Sequence, residues 1–211
     1  MKVLVVDERK EILHEPYVVR LGGWTLERYL REAPEDLIWE FVHGEVEMYS
    51  PATAEHQDLV GFLFWLLKGY CEARGWGKVL TGPAAVRILP HLVREPDIFV
   101  LAPEDVPKAK GTPLEIRPVL VVAVVSSSTR TIDLREKGED YGLAGIPEYW
   151  AVDMEQKALW VHRLEGERYR VERVFGGRVE SRSVPGLWME AGWFLQAPLP
   201  PAAQCLQEIL R

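Results

Sequence analysis

The longest helical pattern in the chain lies in residues 53–74, where apolar side chains recur every three or four positions. The apolar positions are Leu59, Val60, Phe62, Leu63, Leu66, Leu67 and Tyr70. Ser50 and Pro51 precede this stretch and Gly75 follows it, and residues of these types commonly bound helices. The pattern predicts one long helix, and residues 25–32 predict a shorter one.

Strands are predicted from continuous apolar runs and from alternation. The run at 119–125 is apolar at every position, which is typical of a central strand covered on both faces. Residues 37–42 and 45–49 flank His43 and Gly44, a pattern typical of a hairpin. The remaining predicted elements are strands at 78–81, 84–88, 98–101 and 149–152, a helix at 131–144, an antiparallel meander at 159–162, 169–174 and 178–183, and a short helix within 200–211.

Strands and helices are mixed along the chain without strict alternation. This order predicts an α/β (α+β) fold with a mixed central sheet flanked by helices and an antiparallel β extension at the C-terminal end. The length of 211 residues and the 47% apolar content suit one sizeable domain. We expect a single domain over residues 1–211, with its core at about 20–155 and the meander and tail at 156–211.

Composition narrows the function classes. The net charge of −7 argues against a protein that coats nucleic acid nonspecifically, although a local basic strip is compatible with it. The chain has no apolar stretch of 18 residues, so we expect no membrane span and a cytoplasmic location. Cys71 and Cys205 lie far apart without a C-x-x-C motif, which suggests neither a disulfide framework nor a zinc site. The absence of asparagine and the abundance of Glu, Arg and Pro favour a thermophilic source.

Two carboxylates lie where a strand begins. Asp97 follows Pro96 at the mouth of the predicted strand 98–101, where its carboxylate can project from a sheet edge toward a metal ion. The same dipeptide is also a common junction between a turn and a strand. Glu45 begins the second hairpin strand, and alternation places it on one face with Glu47 and Tyr49. Taken alone, that pattern favours a solvated acidic face.

Two cationic candidates lie on helices. Lys137 shares a helix face with Leu134 and Tyr141, so it points inward and needs an anion or water nearby. The alternative is that Lys137 extends along the helix between flanking aspartates without a chemical role. His56 lies near the start of the long helix, where capping or packing is the alternative to catalysis.

Four motifs together resemble one known family. They are W-E-F-V-H-G-E-V-E-M-Y-S-P-A-T-A-E-H at 39–56, E-P-D-I-F-V at 95–100, V-V-A-V-V-S-S-S-T-R-T-I-D-L-R-E-K at 121–137 and G-I-P-E-Y-W-A-V-D at 145–153. In order and spacing they resemble the Uma-type restriction endonuclease family, part of the PD-(D/E)XK nuclease superfamily. The resemblance implies a restriction-endonuclease-like core and a magnesium site at one edge of a mixed sheet.

The resemblance also implies roles for individual residues. Glu45 matches the hairpin glutamate of the family, Asp97 its metal-binding aspartate, Lys137 its helix lysine and His56 a recurrent histidine. One position departs from the family pattern: the glutamate expected in the apolar strand is Ala123. The site therefore lacks one carboxylate, and Asp133 and Glu136 are the candidates to replace it.

These observations lead to one hypothesis and one rival. The hypothesis is a Mg²⁺-dependent phosphodiesterase acting on DNA, with Glu45 and Asp97 as metal ligands, Mn²⁺ as an alternative ion and a site weakened by Ala123. We expect Glu45, Asp97 and Lys137 to converge on one cleft, with Ala123 at its floor. Analogy with enzymes that cut both strands favours a homodimer. The rival is an inactive nuclease fold that binds nucleic acid or a protein partner.

Overall fold

The computed structural model describes residues 16–34 and 37–211. Its first half contains β1 (Val18–Gly22), α1 (Leu26–Glu32), β2 (Trp39–Val42), β3 (Glu45–Tyr49), α2 (Ala54–Arg74), β4 (Lys78–Thr81), β5 (Val86–Leu89), β6 (Leu92–Arg94) and β7 (Ile98–Leu101). Its second half contains β8 (Leu120–Val124), α3 (Lys137–Leu143), β9 (Glu148–Asp153), β10 (Ala158–Glu165), β11 (Arg168–Val174), β12 (Arg178–Glu180), β13 (Trp188–Glu190) and α4 (Ala202–Leu210). The predicted mixed α/β class is confirmed.

The central sheet has six strands in the order β11-β10-β9-β8-β7-β4. Strand β8 pairs antiparallel with β7 and parallel with β9, so the sheet is mixed, as predicted. Every residue of β8 is buried. Val122 packs in the core built on α2 and α4, whereas Val121 and Ala123 pack in a second core on the opposite face. The prediction of a central strand covered on both faces is therefore confirmed.

Helix α2 confirms the longest helical pattern, and its caps are of standard types. The Thr53 hydroxyl accepts a hydrogen bond from the backbone N–H of His56 at 3.2 Å. The helix ends at Gly75, whose φ of 61° suits a residue without a side chain. The N-cap places His56 in the first turn of the helix, at the edge of the central sheet.

The second sheet has five strands in the order β1-β3-β2-β6-β5. The predicted hairpin β2–β3 forms around His43 and Gly44, which have φ angles of 48° and 91°. One face of this sheet is apolar and packs with α1 through Tyr29, Phe41 and Val93. Strands β2, β3 and β6 turn charged side chains to the opposite face.

Several short strands were not predicted. Strands β1, β6 and β13 are only 5, 3 and 3 residues long, and runs this short show little alternation. The predicted strand 84–88 forms as β5, displaced by one or two residues. The predicted three-strand meander is wrong in its last member, because β12 pairs with β13 instead of β11.

The predicted helix 131–144 contains a widened turn. Residues Ile132–Glu136 form a π-helical turn that continues into α3. The Tyr149 hydroxyl donates a hydrogen bond to the backbone carbonyl of Asp133 at 2.7 Å, which fastens this turn to strand β9. Such turns are frequent at functional sites because they redirect side chains within a helix. In the described part of the chain, no helix is long and apolar enough to span a membrane.

A fully buried arginine connects the five-stranded sheet to α3. The Arg94 guanidinium contacts Glu40 and Glu47 at 2.6 Å each, and on its other side it contacts Asp140 of α3 at 2.6 Å. Arg94 and Glu40 are both 0% exposed. The Tyr49 hydroxyl donates to the glutamates at 2.7 and 2.8 Å, so the two carboxylates share an arginine and a phenol. This network holds the charged face of the sheet against the helix.

Arg94→Met is expected to lower the free energy of unfolding by about 3–5 kcal/mol, because it leaves three carboxylates without their common cation. The measurement is urea unfolding at pH 7. Arg135→Met is the matched control, since Arg135 forms only an exposed pair with Glu139, and its effect should stay within about 0.5 kcal/mol. Equal effects of the two substitutions would contradict a structural role for the network.

Candidate active site at the edge of the central sheet

A pocket of about 90 Å³ opens where the first turn of α2, the start of β7, the end of β8 and the π-helical turn meet. Its ionisable lining residues are Glu40, His56, Glu95, Asp97, Asp133 and Lys137. Its hydroxyl-bearing lining residues include Tyr49, Thr53, Ser126, Ser128 and Thr129. The pocket holds several waters or a small anion, since one water needs only about 10–15 Å³.

Asp97 is held in the pocket by the neighbouring strand. One oxygen, Oδ2, accepts a hydrogen bond from the backbone N–H of Val124 at 2.8 Å. The paired residues of β7 and β8 include Ile98 with Val122 and Phe99 with Val121. Continued by one residue, this antiparallel register places Asp97 opposite Ala123. The second oxygen of Asp97 has no hydrogen-bond partner within the described residues.

His56 lies beside Asp97, with 3.6 Å between Nε2 and Oδ2. Burial alone lowers the pKa of a histidine, but the Asp97 carboxylate, helped by Asp133, outweighs burial and raises the pKa of His56 above its ordinary value. The imidazole therefore keeps its proton to a higher pH than a free histidine. The other ring nitrogen, Nδ1, is buried without a hydrogen-bond partner in the described part of the protein.

Lys137 points into the pocket, as its place on the inward helix face predicted, and is 7% exposed. Its Nζ lies 3.0 Å from Asp133 and 3.7 Å from Glu40. Burial lowers the pKa of a lysine, yet these two carboxylates outweigh it and hold the pKa of Lys137 well above its ordinary value. The ammonium is therefore a fixed positive charge in the pocket.

The carboxylates around Lys137 differ in how completely they are paired. Burial tends to raise the pKa of Glu40, but the charges of Lys137 and Arg94 lower it, and the backbone N–H of Glu95 donates to it at 2.8 Å. Burial dominates at Asp133, whose pKa is raised despite Lys137, and the charge of Asp97 adds to the increase. Asp133 is thus a buried carboxylate with incomplete compensation.

Glu95 is the second carboxylate with a raised pKa. Burial, followed by repulsion from Glu40, raises its pKa to about 7. Its Oε1 accepts a hydrogen bond from the backbone N–H of Trp39 at 3.3 Å, which orients the side chain toward the five-stranded sheet. At neutral pH this side chain is divided between its charged and uncharged forms.

The structure brings together three of the four residues predicted for the site. Asp97, His56 and Lys137 line one pocket, whereas Glu45 lies exposed at the start of β3, opposite Val42, and is not among the lining residues. The expected convergence therefore does not include Glu45. Ala123, expected at the floor of the cleft, is buried in the second core and is not itself among the lining residues, but it lies opposite Asp97 on the same face of the sheet.

Sequence reasoning missed Glu40 and Glu95 as lining residues, and it named Asp133 only as one of two candidates, with Glu136, to replace the missing carboxylate. Glu40 lies within a hairpin strand and Glu95 precedes Pro96, so neither pattern distinguishes an inward carboxylate from a solvated one. A signal existed only at Asp133. It lies four residues before the inward lysine, a spacing that places two helical side chains on the same face.

The donor set suits one weakly held divalent cation. Among residues 16–34 and 37–211, no group of three or more His, Cys, Asp or Glu side chains is arranged as a metal cage. Mg²⁺ commonly uses only one or two protein carboxylates and completes its octahedron with waters and substrate phosphate. Asp97 has an oxygen without a partner and faces the pocket, so the site fits an ion of this kind.

A wider groove adjoins the pocket along α2. Its volume is about 880 Å³, and it shares Thr53, His56 and Ser126 with the pocket. The groove is mainly apolar and includes Trp65, which is 45% exposed. The rim carries Glu55 and Asp58, which lie on the first turns of α2. The site therefore opens on one side to a surface that suits flat apolar groups better than phosphates.

The chain is similar to known proteins in sequence and in fold. A family model described as "Uma2: Putative restriction endonuclease" matches residues 26–194. A crystal structure from Anabaena variabilis, described as a putative nuclease belonging to DUF820, superimposes with a TM-score of 0.71 and 13% sequence identity. The superposition covers 81% of this chain and 97% of that one. At this identity the likeness shows the fold alone. No curated protein matches the chain.

Glu95→Gln tests the raised pKa at the pocket. A carboxyl whose pKa rises from 4.5 to about 7 on folding binds more protons in the native state across that interval, so its ionisation lowers stability as pH rises from about 4.5 to 7. We expect the variant to be more stable than the wild type at pH 8 and to lose this advantage at pH 4.5. Urea unfolding at both pH values provides the measurement, with the exposed Glu115→Gln as control. A stability difference independent of pH would contradict the raised pKa.

Proposed function

Because this chain belongs to the Uma2 family of restriction endonucleases, we propose that it is a divalent-metal-dependent phosphodiesterase that cuts DNA. The observation that carries the proposal is the meeting of Asp97 and Lys137 in one pocket at the ends of β7 and β8. Restriction-endonuclease-like enzymes generally use divalent metals, and we propose Mg²⁺, with Mn²⁺ as a substitute. An acidic ligand beside a fixed ammonium suits a reaction that builds negative charge on a phosphate.

The residues of this chain have distinct tasks in the proposed reaction. A divalent ion held at Asp97 would polarise the scissile phosphate and lower the pKa of a bound water. Asp97 contributes the ligand oxygen, and the Val124 N–H fixes the orientation of that carboxylate. Lys137 remains charged and stabilises the negative charge that develops on the phosphate. His56 holds the Asp97 carboxylate from the helix side at 3.6 Å.

The missing glutamate weakens metal binding in the proposed site but leaves the proposed roles of Asp97 and Lys137 in place. With Ala123 opposite Asp97, the strand contributes no second carboxylate, and an ion held by fewer ligands binds less tightly. We therefore expect weak metal affinity and slow cleavage. Glu45, proposed from the resemblance as a metal ligand, is the least supported of the four site residues because it lies outside the pocket.

A second candidate function is supported by the groove beside the site. Its apolar lining and the exposed Trp65 suit a partner that buries apolar groups, such as a protein segment. In this alternative the chain is a nuclease fold that no longer cuts and acts in binding. The two functions differ in one measurable respect, since a pure binding module takes up no divalent metal at Asp97.

The proposal extends to the setting of the enzyme. We propose a homodimer acting in the cytoplasm of a thermophilic organism, with duplex DNA as the substrate. Two active sites allow both strands to be cut in one encounter, and cyclic dimers are the commonest soluble oligomers. The lack of asparagine and the abundance of charged residues suit a high working temperature.

Ala123→Glu should restore the missing carboxylate. Because Ala123 continues the strand register opposite Asp97, the new side chain is expected to reach the pocket, tighten Mn²⁺ binding and raise the rate of plasmid nicking. Asp97→Ala should abolish both. The matched control is Asp105→Ala, an aspartate paired with Lys108 on a distant turn, which should leave both unchanged. A folded Ala123→Glu protein with unaltered metal affinity would show that position 123 does not face the site.

Binding to DNA should depend on salt. If a duplex approaches this acidic site, cations on the surrounding surface must neutralise phosphates and release counterions, so affinity falls as salt rises from about 50 to 200 mM. Fluorescence anisotropy with a labelled duplex in Ca²⁺ measures this without cleavage. An affinity for DNA that does not change with ionic strength, or no DNA binding at low salt, supports the protein-binding alternative.

A further inference from the structure

We propose that Asp133 supplies the carboxylate that Ala123 lacks, so that Asp97 and Asp133 together hold one divalent cation. The inference rests on the proposed function and names the second protein ligand of that site. It concerns a residue of the π-helical turn, outside the strand motif on which the metal ligands of the resemblance lie.

The geometry reproduces on a helix what the (D/E)XK part of the PD-(D/E)XK motif arranges on a strand, where a carboxylate and a lysine lie two residues apart. Strand residues two positions apart lie on the same face, which is how that motif brings a carboxylate and a lysine together. Helical residues four positions apart do the same. Asp133 and Lys137 have this spacing, and their charged groups lie 3.0 Å apart. A carboxylate paired with a lysine is thus present in the pocket, attached to another element.

The surroundings of Asp133 leave it free to bind an ion. Its backbone is fixed at both polar groups, because its N–H donates to the Thr129 carbonyl and its own carbonyl accepts from Tyr149. One carboxylate oxygen, Oδ1, contacts Lys137. The residue is 3% exposed and lines the same pocket as Asp97. The Thr129 side chain also hydrogen-bonds to this carboxylate, but a carboxylate has about four lone-pair positions, so beside these two partners it still has room for a cation.

Other nearby carboxylates have their oxygens engaged elsewhere. Glu136, on the same turn, lies 2.5 Å from Arg20 and is not among the pocket-lining residues. Asp140 binds Arg94 through Oδ2. Glu40 lines the pocket, but its oxygens accept hydrogen bonds from Arg94, Tyr49 and the Glu95 backbone.

Glu95 also lines the pocket, but its Oε1 accepts a hydrogen bond from the backbone N–H of Trp39, which orients the side chain toward the five-stranded sheet. Asp133 is therefore the carboxylate best placed to complete a pair with Asp97.

The test is a Mn²⁺ titration of the full chain. Electron paramagnetic resonance measures the concentration of free Mn²⁺, and calorimetry measures the heat of binding. Asp133→Asn keeps the shape of the side chain and should weaken Mn²⁺ affinity by at least about tenfold, since losing even a residue that only orients a ligand costs about that much. Glu136→Gln is the matched control on the same turn and should change affinity by less than about twofold. The double variant Ala123→Glu/Asp133→Asn should recover the lost affinity, because it returns a carboxylate to the strand.

Replacing the carboxylate of Asp133 by a thiolate distinguishes direct metal binding by this residue from a role in positioning Lys137. Asp133→Cys should bind Cd²⁺ more tightly and Mn²⁺ less tightly than the wild type, because a thiolate prefers the softer ion. A residue that only orients Lys137 does not produce this exchange of preference. Asp133→Cys also provides the test if Asp133→Asn fails to fold. The wild-type protein is its reference, because both native cysteines, Cys71 and Cys205, are buried.

The outcomes distinguish the inference from the function on which it rests. Wild-type Mn²⁺ binding that Asp97→Ala removes and Asp133→Asn leaves intact overturns the inference and keeps the proposed function. A wild-type protein that binds no Mn²⁺ and nicks no plasmid overturns both. Loss of binding in Asp133→Asn, recovery in the double variant and a Cd²⁺ preference in Asp133→Cys support the inference.

Discussion

The arrangement of the site depends on the burial of one cation, the guanidinium of Arg94. A charge removed from water must be matched inside the protein, and Glu40, Glu47 and Asp140 provide the match from two strands and a helix. Because Asp140 belongs to α3, the pairing fixes how that helix lies on the five-stranded sheet. Lys137 begins the same helix, so its position in the pocket follows from a contact made one turn away.

The pocket therefore lies at one end of a longer series of alternating positive and negative side chains. Arg94 and Lys137 share Glu40 between them, and Lys137 in turn shares its ammonium with Asp133. Glu40 lies between two positive groups, which keeps it ionised although it is fully buried. Structural and chemical roles are therefore not separable here. Glu40 both orients the ammonium of Lys137 and connects it to Arg94, which holds the five-stranded sheet against α3.

The sequence predicted the parts of the fold that depend on long apolar patterns. Helix α2, strand β8 and the hairpin followed from periodicity, and the motifs around Asp97 and Lys137 indicated the family. The charged face of the five-stranded sheet could not be predicted, because Glu47 and Arg94 alternate with apolar residues just as solvated charges do. Their burial depends on partners distant in the sequence. For the same reason the alternation of the hairpin does not distinguish the buried Glu40 from the exposed Glu45.

The shared carboxylates have a consequence for how this protein can change over time. Glu40, Glu47 and Arg94 lie side by side on three neighbouring strands, and none of them can become neutral alone without stranding the charge of the others. These three residues must therefore change together. Ala123, in contrast, lies among apolar side chains and belongs to no such charge network. A carboxylate at that position can therefore be gained or lost in a single step. The buried charge network can thus persist unchanged while the residue at position 123 varies.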